Sequence, residues 1–205
     1  MAKPKTTFEA ERFYHIWTHA NGFENLFNES KNYYFFLDRY RTYLSDLVDT
    51  YAYCLMPNHL HLMIKTKDEK LTLNFYKNNA ESTKSDFNFS NTISNQFSKL
   101  FNSYTQSFNK LYQRKGSLFI PNFNRKAITT DAYFIWLVLY IHKNPVHHGF
   151  CQHLEQWKFS SYRTFLEQGA TKIKRGDVLD WFGGRSEFIK FHELNLSQEI
   201  INNLE

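Results

Sequence analysis

Apolar and polar positions alternate over residues 13–18, with Tyr14, Ile16 and Thr18 on one side and Phe13, His15 and Trp17 on the other. That is the period of a strand, and Asn21-Gly22 breaks it. From 30 to about 49 the step changes: Tyr34, Leu37, Tyr40, Leu44 and Leu47 recur every three or four residues, which predicts a long amphipathic helix capped by Ser30. Two short apolar runs, 51–56 and 59–66, flank Pro57-Asn58 and predict a β-hairpin. In its second arm Leu60, Leu62 and Ile64 face one way and His59, His61 and Met63 the other.

Residues 67–70 read as a charged turn, and 71–114 as mostly helical with a Ser/Asn-rich break at 87–95. Gly116 closes that stretch, and 117–128 has mixed strand character, with Pro121 suggesting a sheet edge or an irregular stretch. Thr130-Asp131 caps a helix apolar nearly all round over 132–142, hence buried, which Asn144-Pro145 is expected to stop. A last helix is expected at 185–193. Strand, helix, hairpin, helix, strand, helix describes an α+β fold, a ferredoxin-like antiparallel sheet with packed helices.

The chain has 205 residues, enough for one domain or one domain with an appendage, and no linker divides it. Aromatics at 19% exclude a disordered chain. Cys54 and Cys151 are too few for a disulfide framework or a four-cysteine zinc site, which suits a reducing cytosol. The first 15 residues hold no apolar signal core, and the longest apolar run, 132–141, is ten residues against the roughly 20 of a membrane helix. A soluble, cytoplasmic protein with no membrane partner is expected.

The net charge of +5 is local. Between Asp86 and Asp131 there is no acidic residue, while Lys99, Lys110, Arg114, Lys115, Arg125 and Lys126 supply six positive charges among aromatic rings that include Tyr104 and Tyr112. Phosphates would be drawn to such a strip, and bases could stack on whichever rings are exposed. The plainer reading is a solvated cationic helix face whose rings are core.

Two constellations could carry chemistry. His59 and His61, at i and i+2 on a strand, present two imidazoles on one face, either as ligands of a borderline metal or as ordinary sheet histidines. Tyr140 and Asn144, four apart, project together from an otherwise apolar helix with no carboxylate near Tyr140 on that helix. A buried phenol needs a partner, so Tyr140 faces either a site or a backbone carbonyl, with Asn144 a helix cap in the second case.

The runs Met56-Pro57-Asn58-His59-Leu60-His61-Leu62, Tyr140-Ile141-His142-Lys143-Asn144-Pro145-Val146 and Trp157-Lys158-Phe159-Ser160-Ser161-Tyr162 together resemble the REP-associated tyrosine transposases. These are a branch of the single-tyrosine, insertion-sequence transposases of the HUH endonuclease superfamily. The resemblance covers about residues 13–162 and implies an HUH domain over 1–165, followed by a C-terminal helical extension over 166–205. It implies that His59, His61 and Asn144 bind Mg²⁺ or Mn²⁺ and that Tyr140 is the nucleophile.

The activity implied is metal-dependent single-stranded DNA cleavage and strand transfer beside hairpins of REP-like palindromes, through a 5′-phosphotyrosine. Lys99, Tyr104, Lys110, Tyr112, Arg114, Lys115, Arg125 and Lys126 are then the expected DNA contacts. A bacterial cytoplasmic protein, nucleoid-associated when bound and monomeric rather than homodimeric, fits that reading. Its competitors are a non-catalytic or domesticated hairpin-binding protein and a replication or conjugation initiator of the same superfamily.

Overall fold

A computed structural model describes residues 6–79 and 87–204. Its spine is an antiparallel sheet of β1 (Phe13–His19), β2 (Val48–Met56), β3 (His59–Thr66) and β4 (Asn124–Ala127), in the order β2-β3-β1-β4. Strand β3 lies between β1 and β2, the split βαβ arrangement expected of a ferredoxin-like plan. Pro57 and Asn58 turn the β2-β3 hairpin, as their turn chemistry predicts.

Both faces of the sheet are covered. Tyr14, Ile16, Leu60, Leu62 and Ile64 pack against α1 (Ser30–Leu44) and α3 (Phe89–Leu111). The other face, with Ala52, Cys54 and Met63, packs against α4 (Asp131–His147). A sheet sandwiched this way needs two apolar layers, and this is where most of the aromatic excess goes. Short helices α5 (Tyr162–Leu166), α6 (Arg175–Phe182), α7 (Arg185–Glu193) and α8 (Gln198–Leu204) complete the second layer, with Val178, Phe182, Phe188, Ile201 and Leu204 buried in the same cluster as α4.

Three local expectations are corrected. Helix α1 ends at Leu44, not near 49, and its N-cap is Glu29, while Asn32 Oδ1 accepts from the Asn28 and Glu29 amides. The apolar spacing had run on through Leu47 into residues that belong to β2, where β-branched Val48 prefers the pleat. The predicted break at 87–95 is largely helix: Asn88 caps α3 by accepting from the Asn91 amide at 2.8 Å, and Ile93 already belongs to the buried stripe. The preceding residues 80–86 lie outside the described residues, beyond the end of α2 (Glu69–Asn79).

The third correction bears on the site. Helix α4 does not stop at Asn144-Pro145 but runs through both to His147. Proline removes one rung and disfavours helical backbone at the residue before it. Here the amides of His148 and Phe150 still close onto Asn144 O (3.0 Å) and Pro145 O (2.8 Å), and burial of Asn144 and Pro145 holds the turn. Tyr140 and Asn144 therefore share one continuous helix.

The run from Trp157 to Tyr162 clips onto β2. Trp157 Nε1 donates to Leu55 O (2.9 Å), Leu55 N to Phe159 O (3.0 Å) and Ser161 N to Tyr53 O (2.9 Å). These bonds occupy the outer edge of β2, which would otherwise be open to pairing.

Candidate active site

Strand alternation places His15, Trp17 and His19 of β1 and His59, His61 and Met63 of β3 on the face beneath α4, with His19 paired opposite His59 and Trp17 opposite His61. Above them α4 presents Tyr140 and Asn144, and His148 follows at the next turn. The Tyr140 ring meets His61 edge-on at 5.3 Å between centroids and His15 at 6.2 Å. His59 and His61 stand perpendicular at 5.3 Å, and His19 and His148 lie at 4.8 and 4.9 Å from His59. The four residues singled out from sequence thus converge at one place.

Hydrogen bonds orient both imidazoles. His59 Nδ1 lies 2.7 Å from Asn58 Oδ1, an atom that only accepts, so Nδ1 carries the proton and Nε2 the lone pair. That bare Nε2 faces Asn144 Oδ1 at 3.3 Å, so two lone-pair atoms oppose each other. Asn144 is 2% exposed, and its Nδ2 finds no partner among the described residues. A neutral imidazole and a carboxamide oxygen placed so suit a cation between them. His61 Nδ1 meets His15 Nε2 at 2.9 Å, and donation by His61 leaves its Nε2 bare as well. Among the described residues no group of three or more His, Cys, Asp or Glu is arranged to hold a metal ion. Here the donor set is two imidazoles and an amide oxygen.

Burial keeps these rings neutral. It lowers His59 to about 4 and His15 to about 3, and drives His61 well below the usual histidine range, with neighbouring histidines adding to the effect on His61. The site is closed: Tyr140, His59 and His61 are only 3%, 4% and 3% exposed.

Behind α4 a second buried chain fixes its position. His192 Nδ1 donates to Phe188 O (2.7 Å), His142 Nδ1 donates to His192 Nε2 (2.8 Å), and Ser161 donates to His142 Nε2 (2.8 Å) while accepting from Tyr53 N (2.9 Å). The two bonds in which a ring nitrogen accepts, at His192 Nε2 and His142 Nε2, require neutral imidazoles. Burial lowers His192 to about 4 and drives His142 well below the usual histidine range.

Because these native rings refuse protons that the unfolded chain accepts below about 6.5, stability falls as pH drops from 6.5 toward 4 and is flat above. Each such histidine adds up to about 1.4 kcal/mol per pH unit in that window. Urea midpoints with a chelator present should be equal at pH 7 and 8 and fall steeply between 6 and 4.5. Equal midpoints at 7 and 5 would show that these rings are not held neutral.

The expected DNA contacts scatter. Lys99, Lys110 and Lys115 are exposed on and after α3. Tyr104 is corrected: it is 1% exposed, a core residue whose hydroxyl donates to Leu26 O at 2.5 Å, so no base can stack on it. Tyr112 donates to Glu29 and Asn32, and Arg114 pairs with Glu24 while bonding Asn109 Oδ1, Gly116 O and Ser117 O, a turn-holding role. Arg125 is half-buried over the Phe8 ring (4.4 Å) and bonds Ser94. Lys126, opposite His15, faces the histidine side and donates to Asn203 O at 2.6 Å.

Sequence reading missed His15, His19, His148 and Asn58. His15 and His19, four apart on one strand, share a face by the same alternation that marked His59 and His61, and that signal was available.

No family model matches the sequence, and no curated protein does. A solved structure of a REP-associated tyrosine transposase bound to a REP hairpin superposes with a TM-score of 0.62, covering 87% of this chain and 93% of that one at 18% identity. At that identity the match shows a shared fold. Among the described residues no helix is long and apolar enough to cross a membrane.

Proposed function

We propose that this chain is a REP-associated, single-tyrosine transposase of the HUH type, a metal-dependent single-stranded DNA endonuclease and strand transferase acting beside hairpins. The observation that carries the reading is the meeting of Tyr140 and Asn144, from one turn of α4, with His59 and His61 on β3. One chain supplies all four groups, which supports action as a monomer. The likeness in fold to a hairpin-bound transposase is consistent with a DNA hairpin as substrate.

His59 Nε2, His61 Nε2 and Asn144 Oδ1 would hold Mg²⁺ or Mn²⁺, with imidazole favouring manganese. When bound, the ion supplies Lewis-acid polarisation of a phosphate oxygen without any ligand charge offsetting its own. Asn58 and His15 keep the two bare nitrogens aimed. The Tyr140 oxygen attacks phosphorus, its proton passing to water or a substrate oxygen; the P–O3′ bond breaks, leaving a 5′-phosphotyrosine and a 3′-hydroxyl. Reversal onto another 3′-hydroxyl rejoins the strand, so transfer rather than hydrolysis is the outcome.

The test is incubation with single-stranded hairpin oligonucleotides and Mn²⁺, followed by a denaturing gel. A covalent protein–DNA band abolished by chelation is expected. The closed site favours one second reading, a hairpin-binding protein without cleavage, which predicts binding and no band.

Affinity should rest on the three exposed lysines. Charge reversal at Lys99, Lys110 or Lys115 is expected to weaken hairpin binding and to lower the slope of log K against log salt by about 0.7 to 0.9 per lost phosphate contact. Arg114→Ala should instead lower the melting temperature, because its partners hold a turn. Unchanged salt slopes for all three lysines would place the DNA elsewhere.

A further inference from the structure

Helix α4 carries Tyr140, yet its apolar packing does little to fix how the helix is turned. Its buried side chains are apolar except Tyr140, His142 and Asn144. Apolar contact is non-directional, so a helix surrounded this way rotates or slides by small amounts at little cost. A side-chain tip stands roughly 6 Å from a helix axis, so a rotation of about 10° displaces a phenol oxygen by about 1 Å. A misplacement of that size costs a reaction about 10²-fold.

His142 removes this freedom. It lies about 200° round the helix from both Tyr140 and Asn144, on the side away from them. Its ring bonds to other elements at both nitrogens: Nε2 accepts from Ser161 (2.8 Å) and Nδ1 donates to His192 of α7 (2.8 Å). Ser161 in turn holds the Tyr53 amide of β2 (2.9 Å), where Tyr53 pairs with Leu62 and Cys54 with His61. His192 is anchored on Phe188 O (2.7 Å). The chain of bonds therefore ties α4 to β2, the strand beside His61. Hydrogen bonds are directional, so this link sets an angle where packing sets only a distance.

Ser161, His142 and His192 are 0%, 1% and 3% exposed. Replacing buried polar groups together by apolar ones of similar volume is often neutral or stabilising, so stability alone does not account for the chain. We infer that His142, Ser161 and His192 are positioning residues for strand cleavage, fixing the rotation and height of α4 so that Tyr140 and Asn144 meet His59 and His61; this rests on the function proposed above. They act through the helix and not on the phosphate. Helix α7 then belongs to the catalytic unit, because His192 is its contribution to the aim of Tyr140.

The experiment uses the full chain with a hairpin oligonucleotide and Mn²⁺, and follows the covalent band in single turnovers. His192→Leu leaves His142 Nδ1 without its acceptor and is expected to lower the rate at saturating DNA by about 10- to 100-fold. The DNA concentration giving half the maximal rate should stay within about twofold of wild type, since no binding contact is removed. His192→Gln offers a carboxamide oxygen near the place of Nε2 and should recover the rate to within about threefold. Without DNA, a Mn²⁺ titration read by the electron paramagnetic resonance of the free ion should show about tenfold weaker binding to the leucine variant, because Asn144 rides on the same helix.

His142→Leu combined with His192→Leu guards against a single variant that folds poorly. It leaves no ring nitrogen unpaired, and the Ser161 hydroxyl turns to Tyr53 O, 3.3 Å away. The double variant should melt within a few degrees of wild type and still cleave slowly and bind Mn²⁺ weakly. Wild-type rate and Mn²⁺ affinity in the double variant would overturn the inference, because packing alone would then set α4. A loss expressed only as weaker DNA binding would overturn it too. A wild-type protein that forms no band overturns the function proposed above, with the Mn²⁺ titration still reading the aim of Asn144; a wild-type band with unaltered variants overturns this inference alone.

Discussion

Tyr140→Phe is expected to abolish the covalent protein–DNA band, lowering its rate of formation by at least about 10³-fold, as loss of a nucleophile does elsewhere. Phenylalanine keeps the ring whose edge meets His61 and His15, so the fold should hold and the melting temperature shift by no more than a few degrees. Hairpin affinity should survive, since the exposed lysines and the histidine face are untouched. A band of undiminished intensity would move the nucleophile to another tyrosine. Tyr162 and Tyr133 are the next nearest in sequence around α4 and serve as controls. Loss of binding together with loss of the band would mean that the phenol positions DNA and does not attack it.

Asn144→Leu separates function from stability. In the metal-free protein Asn144 is a liability: its Oδ1 opposes the His59 lone pair at 3.3 Å, and its buried Nδ2 goes unanswered among the described residues. Leucine has nearly the same shape and removes both problems, so the metal-free variant is expected to be more stable by about 1 kcal/mol. Band formation should fall by at least the roughly 10- to 100-fold that disturbing a metal's surroundings brings. Added Mn²⁺ should raise the melting temperature of the native protein and not of the variant. An ordinary capping asparagine would give the reverse: a less stable variant that still cleaves. That pattern would remove Asn144 from the proposed ligands. The trade of stability for a poised site is common where function places polar atoms in a core.

The parts of this molecule written in local pattern were legible from sequence. Pro57-Asn58 between two apolar runs produced the hairpin, alternation put His59 and His61 on one face, and the four-residue step put Tyr140 beside Asn144. What local pattern does not contain went astray. The step of α1 ran on into β2 because Leu47 continues the spacing while only tertiary pairing recruits Val48 to the sheet. Pro145 is a stop signal in isolation, yet one missing rung is outweighed where the turn around it is buried and its neighbours still bond. The basic strip is divided between surfaces for a related reason. Its charges lie in one segment of sequence but on both faces of the sheet, Arg125 opposite Ile16 and Lys126 opposite His15. His148 joined the site only through the extra turn of α4, so no reading that ended the helix at Asn144 would find it.

Strand β1 has a consequence for how this gene can vary. Its odd positions give His15 and His19 to one site and its even positions give Tyr14, Ile16 and Thr18 to the opposite layer. A codon lost or gained between 13 and 19 would invert the strand, sending Ile16 toward α4 and histidines into an aromatic core. Point substitutions are thus open to this strand one side at a time, while length changes strike both sides together. Lineages that drift here should therefore do so by replacement, and a copy shortened in β1 should be found only among genes already decaying.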